Sequence, residues 1–204
     1  GFKKVLTWKK CKSAESYVEF FKDEGEMIES FVKAVKSFDP DILVGYFSDG
    51  FDLPFLKTAA SREKVDFNLG LDGSSPKFSR GKIPVARITG IVHADIYRFI
   101  RSVFAQYMQS ETLSLNDVAK ELVGQEKGDF DFKKLSDMKD SDWKDLFSYN
   151  LQDSKITYDL AMKIWPDLYE FTKITKEPVF EVCRASMSSH VESYLIHNLN
   201  KFNE

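Results

Sequence analysis

Apolar residues in the first half of the chain fall into short continuous runs that alternate with stretches at three- and four-residue spacing, and this alternation predicts an α/β fold. Residues 5–8 and 17–21 are short runs rich in β-branched and aromatic side chains, read as strands. The polar stretch 9–15 between them predicts a hairpin as the simplest join. Met27, Ile28, Phe31, Val32, Val35 and Phe38 then recur at helical spacing, so residues 24–38 predict an amphipathic helix. It stops before Asp39-Pro40, because proline disfavours helical backbone in the residue that precedes it. Ile42-Leu43-Val44-Gly45-Tyr46 is a continuous apolar run too short for a helix, the pattern of a strand covered on both faces. After the polar turn Ser48-Asp49-Gly50, Pro54 falls near the start of a helix running to about residue 64, where its missing N–H costs little.

Between residues 70 and 90, Gly73, Ser74, Ser75, Pro76, Gly81 and Pro84 punctuate two short strand candidates, 77–80 and 85–88, and predict a surface hairpin. Residues 91–95 read as another strand, leading into a helix that carries Ile96, Phe99, Ile100, Val103 and Phe104. Residues 112–122 predict a further helix with Ser114 as its N-cap. Helices then dominate, over 141–164, 166–173 and 180–203, with breaks at Pro166 and Pro178. The strand count is low for a complete sheet, which points to a missing edge or central strand upstream of Gly1. The chain opens Gly1-Phe2-Lys3-Lys4 without an initiator Met, so a piece excised from something longer is expected.

Composition narrows the class. With 204 residues, 43% apolar and 30% charged, the chain suits one large domain or two small ones with a real core, and disorder is excluded as its main state. No uncharged apolar stretch approaches the roughly 18 residues of a membrane span, so no membrane partner is expected. The balance of 29 Lys plus Arg against 32 Asp plus Glu, net −3, argues against a free-standing domain that grips nucleic acid by charge alone. Local patches or further domains would have to supply that grip. Cys11 and Cys183 lie far apart with no CxxC, so neither a disulfide framework nor a zinc site is indicated, and a reducing, cytoplasmic setting is expected.

Two stretches carry candidate chemistry. In residues 39–56 a buried strand delivers the chain to its C-terminal edge, a glycine turn follows, and Asp52 stands between two apolar residues where a helix begins. Ligand sites of open α/β sheets lie at that edge, and a carboxylate there suits a metal ion. Taken alone, an Asp in that place more often caps the helix. In Tyr149-Asn150-Leu151-Gln152-Asp153, Tyr149 and Asp153 are four apart, one turn along the same helix face. That spacing alone is also common on solvated faces. The two stretches become specific in combination, in order and about a hundred residues apart.

Together they resemble the 3′ to 5′ proofreading exonuclease domain of family B DNA polymerases, the archaeal ones especially. Residues 39–56 resemble that family's second exonuclease motif, and Tyr149 to Asp153 its third, a Tyr-x-x-x-Asp. Residues 71–77 and 90–97 are similar to the family's inserted hairpin region and the strand after it, 112–124 to its Thr-Leu-x-x-Val-Ala helix, and 183–204 to the connection toward the polymerase domain. The resemblance implies a ribonuclease H-like fold, a mixed sheet flanked by helices, over residues 1–175, with 176–204 as a helical connection. It implies hydrolysis with two divalent cations, Mg²⁺ or Mn²⁺, held by carboxylates about 4 Å apart. By that resemblance Asp52 would ligate the metal nearer the leaving group, Asp153 the metal that activates water, and Tyr149 would orient that water. Phe51 would pack near the terminal base.

The implied partners are a single-stranded or frayed 3′ DNA end, the remaining domains of a parent polymerase and a sliding clamp, in the nucleoid. Two departures from the family pattern stand out. No Asp-x-Glu precedes or lies within residues 3–8, where the family's first motif belongs, so half the metal carboxylates are missing and the fragment is expected to be inactive or nearly so. Phe47 occupies the place of the second motif's usual Asn, a position expected near the DNA end. Lys77, Arg80, Lys82 and Arg87 of the predicted hairpin offer contacts to phosphate, with a solvated loop as the equal alternative. Asp95 is expected to cap the helix that follows it, and His93, His190 and His197 to be satisfied or exposed. The rival to an enzyme is a non-catalytic exonuclease-like scaffold, or a split subunit completed by another chain.

Overall fold

The computed structural model describes residues 3–11, 15–81, 83–125 and 137–202; Lys82, Asn203 and the middle of the 9–15 turn lie outside the described residues. Two parallel strands frame the site. β3 (Ile42–Gly45) pairs with β6 (Val92–Asp95), with Ile42 opposite Val92 and Gly45 opposite Asp95. Parallel pairing brings both carboxyl ends to one edge, so the chain leaving Gly45 meets Asp95 there.

Side chains along a strand alternate between faces. Ile42, Val44 and Tyr46 pack into the core beneath α5 (Asp140–Thr175), and Leu43 into the core beneath α1 (Glu24–Phe38) and α2 (Asp52–Glu63). Both faces are thus packed, although every residue of β3 is half-buried rather than buried. α1 begins where the Asp23 carboxylate accepts the Glu26 amide and Glu26 reaches back to the Lys22 amide. It ends where Asp39 turns left-handed at φ 48°. Its buried face of Ile28, Val32 and Val35 contributes about 1.5–3 kcal/mol per side chain from transfer out of water.

β1 (Val5–Thr7) and β2 (Val18–Phe20) correct the expected hairpin, because they are parallel. A parallel pair demands that the chain return to the start of β1 before β2, which a tight turn does not do. Polar composition alone does not separate the two. β4 (Lys77–Phe78) and β5 (Ala86–Arg87) do form the antiparallel surface hairpin.

The helical half departs from expectation at its breaks. Pro166 lies inside α5, which runs unbroken. Its missing donor and ring clash cost about 3 kcal/mol, offset by burial of Ile156, Leu160, Ile164 and Leu168 along the same helix. The last predicted helix is instead divided into α6 (Val179–Val182) and α7 (Met187–His197), and Ser186 caps α7 by accepting the Ser189 amide. Before them, α3 (Ile96–Phe99) continues into one π-helical turn over Ile100–Phe104, and α4 (Leu115–Val123) opens at Ser114 as expected. Among the described residues no helix is long and apolar enough to cross a membrane. Cys183 is fully buried, and burial pushes its thiol up to about 12; Cys11 is partly exposed.

Candidate active site

The turn from β3 into α2 is tightly wound. A Cβ on Gly45 would collide with the Ser48 hydroxyl, and one on Gly50 would lie 2.5 Å from the Phe47 ring. Phe47 itself adopts left-handed backbone at φ 59°, a conformation costing a bulky residue about 1–2 kcal/mol. Asp95 holds it there. One of its carboxylate oxygens accepts the Phe47 amide at 2.9 Å and the other the Asp49 amide at 3.0 Å. The expectation that Asp95 caps the next helix is thereby corrected: it occupies the N-cap position of α3 but makes no capping bond, because both oxygens serve the turn.

Asp49 points the other way, into the protein, and is fully buried. Its carboxylate accepts from the Ala86 amide at 2.8 Å, Arg184 Nε at 2.8 Å and Arg98 Nη1 at 3.2 Å. His93 Nδ1 lies 3.3 Å from it. The same Nδ1 lies 3.1 Å from Arg184 Nη2, and His93 Nε2 lies 2.8 Å from the Ser48 hydroxyl. Burial by itself would raise the Asp49 carboxyl. The hydrogen bonds from His93, Arg184 and the Ala86 amide, with the Arg184 charge, outweigh burial and hold it well below the usual carboxylate range. Asp95 ends on the other side: burial pushes its carboxyl up, the Asp49 charge adds to that, and the two amides and His93 only partly oppose it.

Asp52 is the first residue of α2 and remains exposed. Protein packed on its inner side pushes its carboxyl up, while its own amide and His93 draw it down. Beside it, Phe51 and Phe55 are 62% and 54% exposed and stack with ring centres 6.0 Å apart and planes 19° apart. Phe47 is half-buried, its ring edge-on to Tyr97 at 5.1 Å. Tyr149 and Asp153 lie one turn apart on α5, both half-buried, with Asp153 Oδ1 withdrawn from solvent. α5 packs against β1 and β3. Lys77 and Arg80 are exposed. Arg87 instead pairs with Glu181 at 2.7 Å and lies 4.1 Å over the Phe180 ring.

Asp49, His93, Asp95 and Arg184 are the residues that sequence reasoning did not assemble. The available signal was two aspartates and a histidine at the ends of apolar strands, where unpaired polar groups are costly. Asp52 and Asp153 are the carboxylates implied for a metal pair. Among the described residues no three His, Cys, Asp or Glu side chains converge to hold a metal ion. Two hard cations take more oxygen ligands than two aspartates supply. The described residues by themselves therefore do not fit a two-metal centre.

Comparison with known proteins gives a concordant picture. Residues 2–118 match the model of the DNA polymerase family B exonuclease domain; Phe47 and Asp52 fall inside that span, Tyr149 and Asp153 beyond it. The chain is 31% identical over 204 residues to a DNA polymerase of Pyrococcus glycovorans, and 30% identical over 204 residues to one of Thermococcus sp. (strain 9oN-7). Each alignment covers 98% of this chain and 26% of the relative. Among solved structures, the family B DNA polymerase of the hyperthermophilic archaeon Pyrobaculum calidifontis superposes with a TM-score of 0.74 at 26% identity, over 92% of this chain and 24% of that one. The chain thus spans about a quarter of the length of the relatives it matches. The mixed α/β architecture agrees with the ribonuclease H-like fold expected from the sequence. The chain belongs to the exonuclease domain family of the family B DNA polymerases.

Proposed function

We propose that this chain is the proofreading unit of a family B DNA polymerase, serving hydrolysis of the 3′-terminal nucleotide of a single-stranded or frayed DNA end. The observation that carries this reading is the division of labour among three aspartates around one turn. Asp49 and Asp95 are buried and engaged with the protein, whereas Asp52 faces outward, at the strand edge where α/β folds bind ligands. The exposed Phe51–Phe55 stack beside it offers an aromatic face for terminal bases of any sequence. Lys77 and Arg80 would meet phosphate.

Asp52 and Asp153 would supply two of the carboxylates for Mg²⁺ or Mn²⁺, and Tyr149 a hydroxyl to orient water. Because two carboxylates are too few, excision by these residues alone is expected to be absent or nearly so, and to need an Asp-x-Glu segment from outside them. Residues 176–204 would connect to the polymerase domain, and the other partners would be the remaining polymerase domains and a sliding clamp. The test is degradation of a 5′-labelled single-stranded oligonucleotide with Mg²⁺ or Mn²⁺ by this chain, by a version lengthened to carry the Asp-x-Glu strand, and by that version with Asp52→Ala. Activity confined to the lengthened form and abolished by Asp52→Ala supports the reading.

A second reading, a non-catalytic scaffold or DNA guide, is favoured by Phe47. Its ring is packed against Tyr97 and over Gly50, where the family's Asn would present an amide. A lengthened form that binds the oligonucleotide and never shortens it would select the scaffold.

A further inference from the structure

We propose that Arg184 is a positioning residue for Asp52, acting through Asp49. This rests on the reading of Asp52 as the outward carboxylate of an exonuclease site. Arg184 lies just past α6, and its side chain is only 6% exposed. Its guanidinium makes four polar contacts, one of them from Nη2 to His93 Nδ1 at 3.1 Å. Nε donates to Asp49 at 2.8 Å, and Nη1 lies 3.0 Å from both the His93 and the Phe180 carbonyl oxygens. A planar fork with five donors suits this arrangement, where the point charge of a lysine would not.

The Phe180 ring lies beneath two guanidiniums, Arg184 at 3.9 Å and Arg87 at 4.1 Å, and Arg87 also pairs with Glu181. The segment 179–184 is thus bound on one side to the hairpin strand β5 and on the other to the turn. From Asp49 the constraint passes along bonds within the turn. The Phe51 amide donates to the Phe47 carbonyl at 3.0 Å and the Leu53 amide to the Ser48 carbonyl at 3.1 Å, so Asp52 is held between two fixed neighbours. Asp95 fixes the amides of the turn, whereas Asp49 reaches out of it by hydrogen bonds to the hairpin, to α3 and to the segment beyond α6. Releasing Arg184 would leave the turn formed by its local bonds and free to shift where Asp49 had anchored it, moving Asp52 with it.

The test is amide hydrogen exchange in the full chain, comparing Arg184→Met, Arg184→Lys, the double variant Arg184→Met with Asp49→Asn, and Leu168→Ala as a destabilised control outside the turn. In Arg184→Met the Phe47, Asp49 and Leu53 amides should lose protection at least ten-fold more than amides of α1. Arg184→Lys should restore part of that loss. The double variant leaves no buried Asp49 charge facing a missing partner and keeps the measurement possible if the single variant folds poorly; it should show the same selective loosening. Leu168→Ala should lower protection without singling out the turn. Turn amides that fall no further than those of α1, in both the single and the double variant, would overturn the proposal.

In a form completed with Asp-x-Glu, Arg184→Met should lower kcat about ten-fold or more while KM stays within about two-fold. A loosened turn with kcat unchanged would also overturn it. If Asp52→Ala leaves excision by the completed form intact, the exonuclease reading itself fails, whatever the turn does in hydrogen exchange.

Discussion

Tyr149 and Asp153 share a face because a helix repeats every 3.6 residues, whereas Asp52 keeps its place through bonds drawn from distant parts of the chain. α5 needs only its buried apolar side to hold both residues in phase. The turn before α2 has no such periodicity. It combines a left-handed Phe47 with two glycines that tolerate no Cβ in place, and it is tied by Asp95, His93, Arg98 and Arg184. The contrast shows two ways of presenting a carboxylate: a regular element fixes direction through packing, and an irregular one requires a buried polar network.

The two halves should therefore break differently. Leu160→Ala, which opens a cavity beneath α5 at a fully buried position, is expected to cost about 3–5 kcal/mol in denaturant unfolding. Asp95→Ala removes the acceptor of two turn amides and should cost about 2–4 kcal/mol, with exchange raised first at Phe47 and Asp49. The opposite pattern in either variant would erase the distinction between packing-held and polar-held carboxylates.

Acid sharpens it further. The Asp49 carboxyl is held low in the folded state, so its contribution is present above the unfolded value near 4 and is lost as pH falls below it, at up to about 1.4 kcal/mol per pH unit. Asp52 and Asp95 act with opposite sign. Their folded carboxyls are raised, so their charge is a cost at neutral pH that protonation removes. Unfolding free energy measured from pH 6 to 2 should decline mainly below pH 4, and Asp49→Asn should flatten that decline.

Gly50→Ala should cost about 1–3 kcal/mol, since its Cβ would meet the Phe47 ring, and a double-mutant cycle with Phe47→Ala should recover most of it. At the small end, Lys155→Met removes an exposed i,i+4 pair with Asp159 on α5 and should change stability by less than about 0.5 kcal/mol, the effect shrinking with salt.

What the sequence makes legible follows the same division. α1 is readable because its apolar stripe and its Asp39-Pro40 stop are both local. The strand 42–45 and the spacing of Tyr149 and Asp153 are readable for the same reason. The β1–β2 pairing is not, since strand direction depends on where a polar connection travels. Nor is the passage of α5 through Pro166, since a local rule is there overridden by burial elsewhere along the helix. The resemblance singled out Asp52 but left its surroundings dark. Arg184 and Asp49 are 135 residues apart, and no spacing rule joins an arginine after an apolar helical turn to an aspartate in a glycine turn.

That separation has a consequence in time. A chain made from its N-terminus completes β3, the turn and α2 long before residue 184 exists, and contacts between distant residues close late because of the entropy of the intervening loop. During synthesis the strands can pair and Asp95 can take the turn amides, yet the Asp49 carboxylate must wait, hydrated or resting on Arg98 and His93, until the segment after α6 arrives. Docking of that segment is then the event that expels water from around Asp49. The outward carboxylate three residues further on thus acquires its final orientation among the last events in the maturation of the fold.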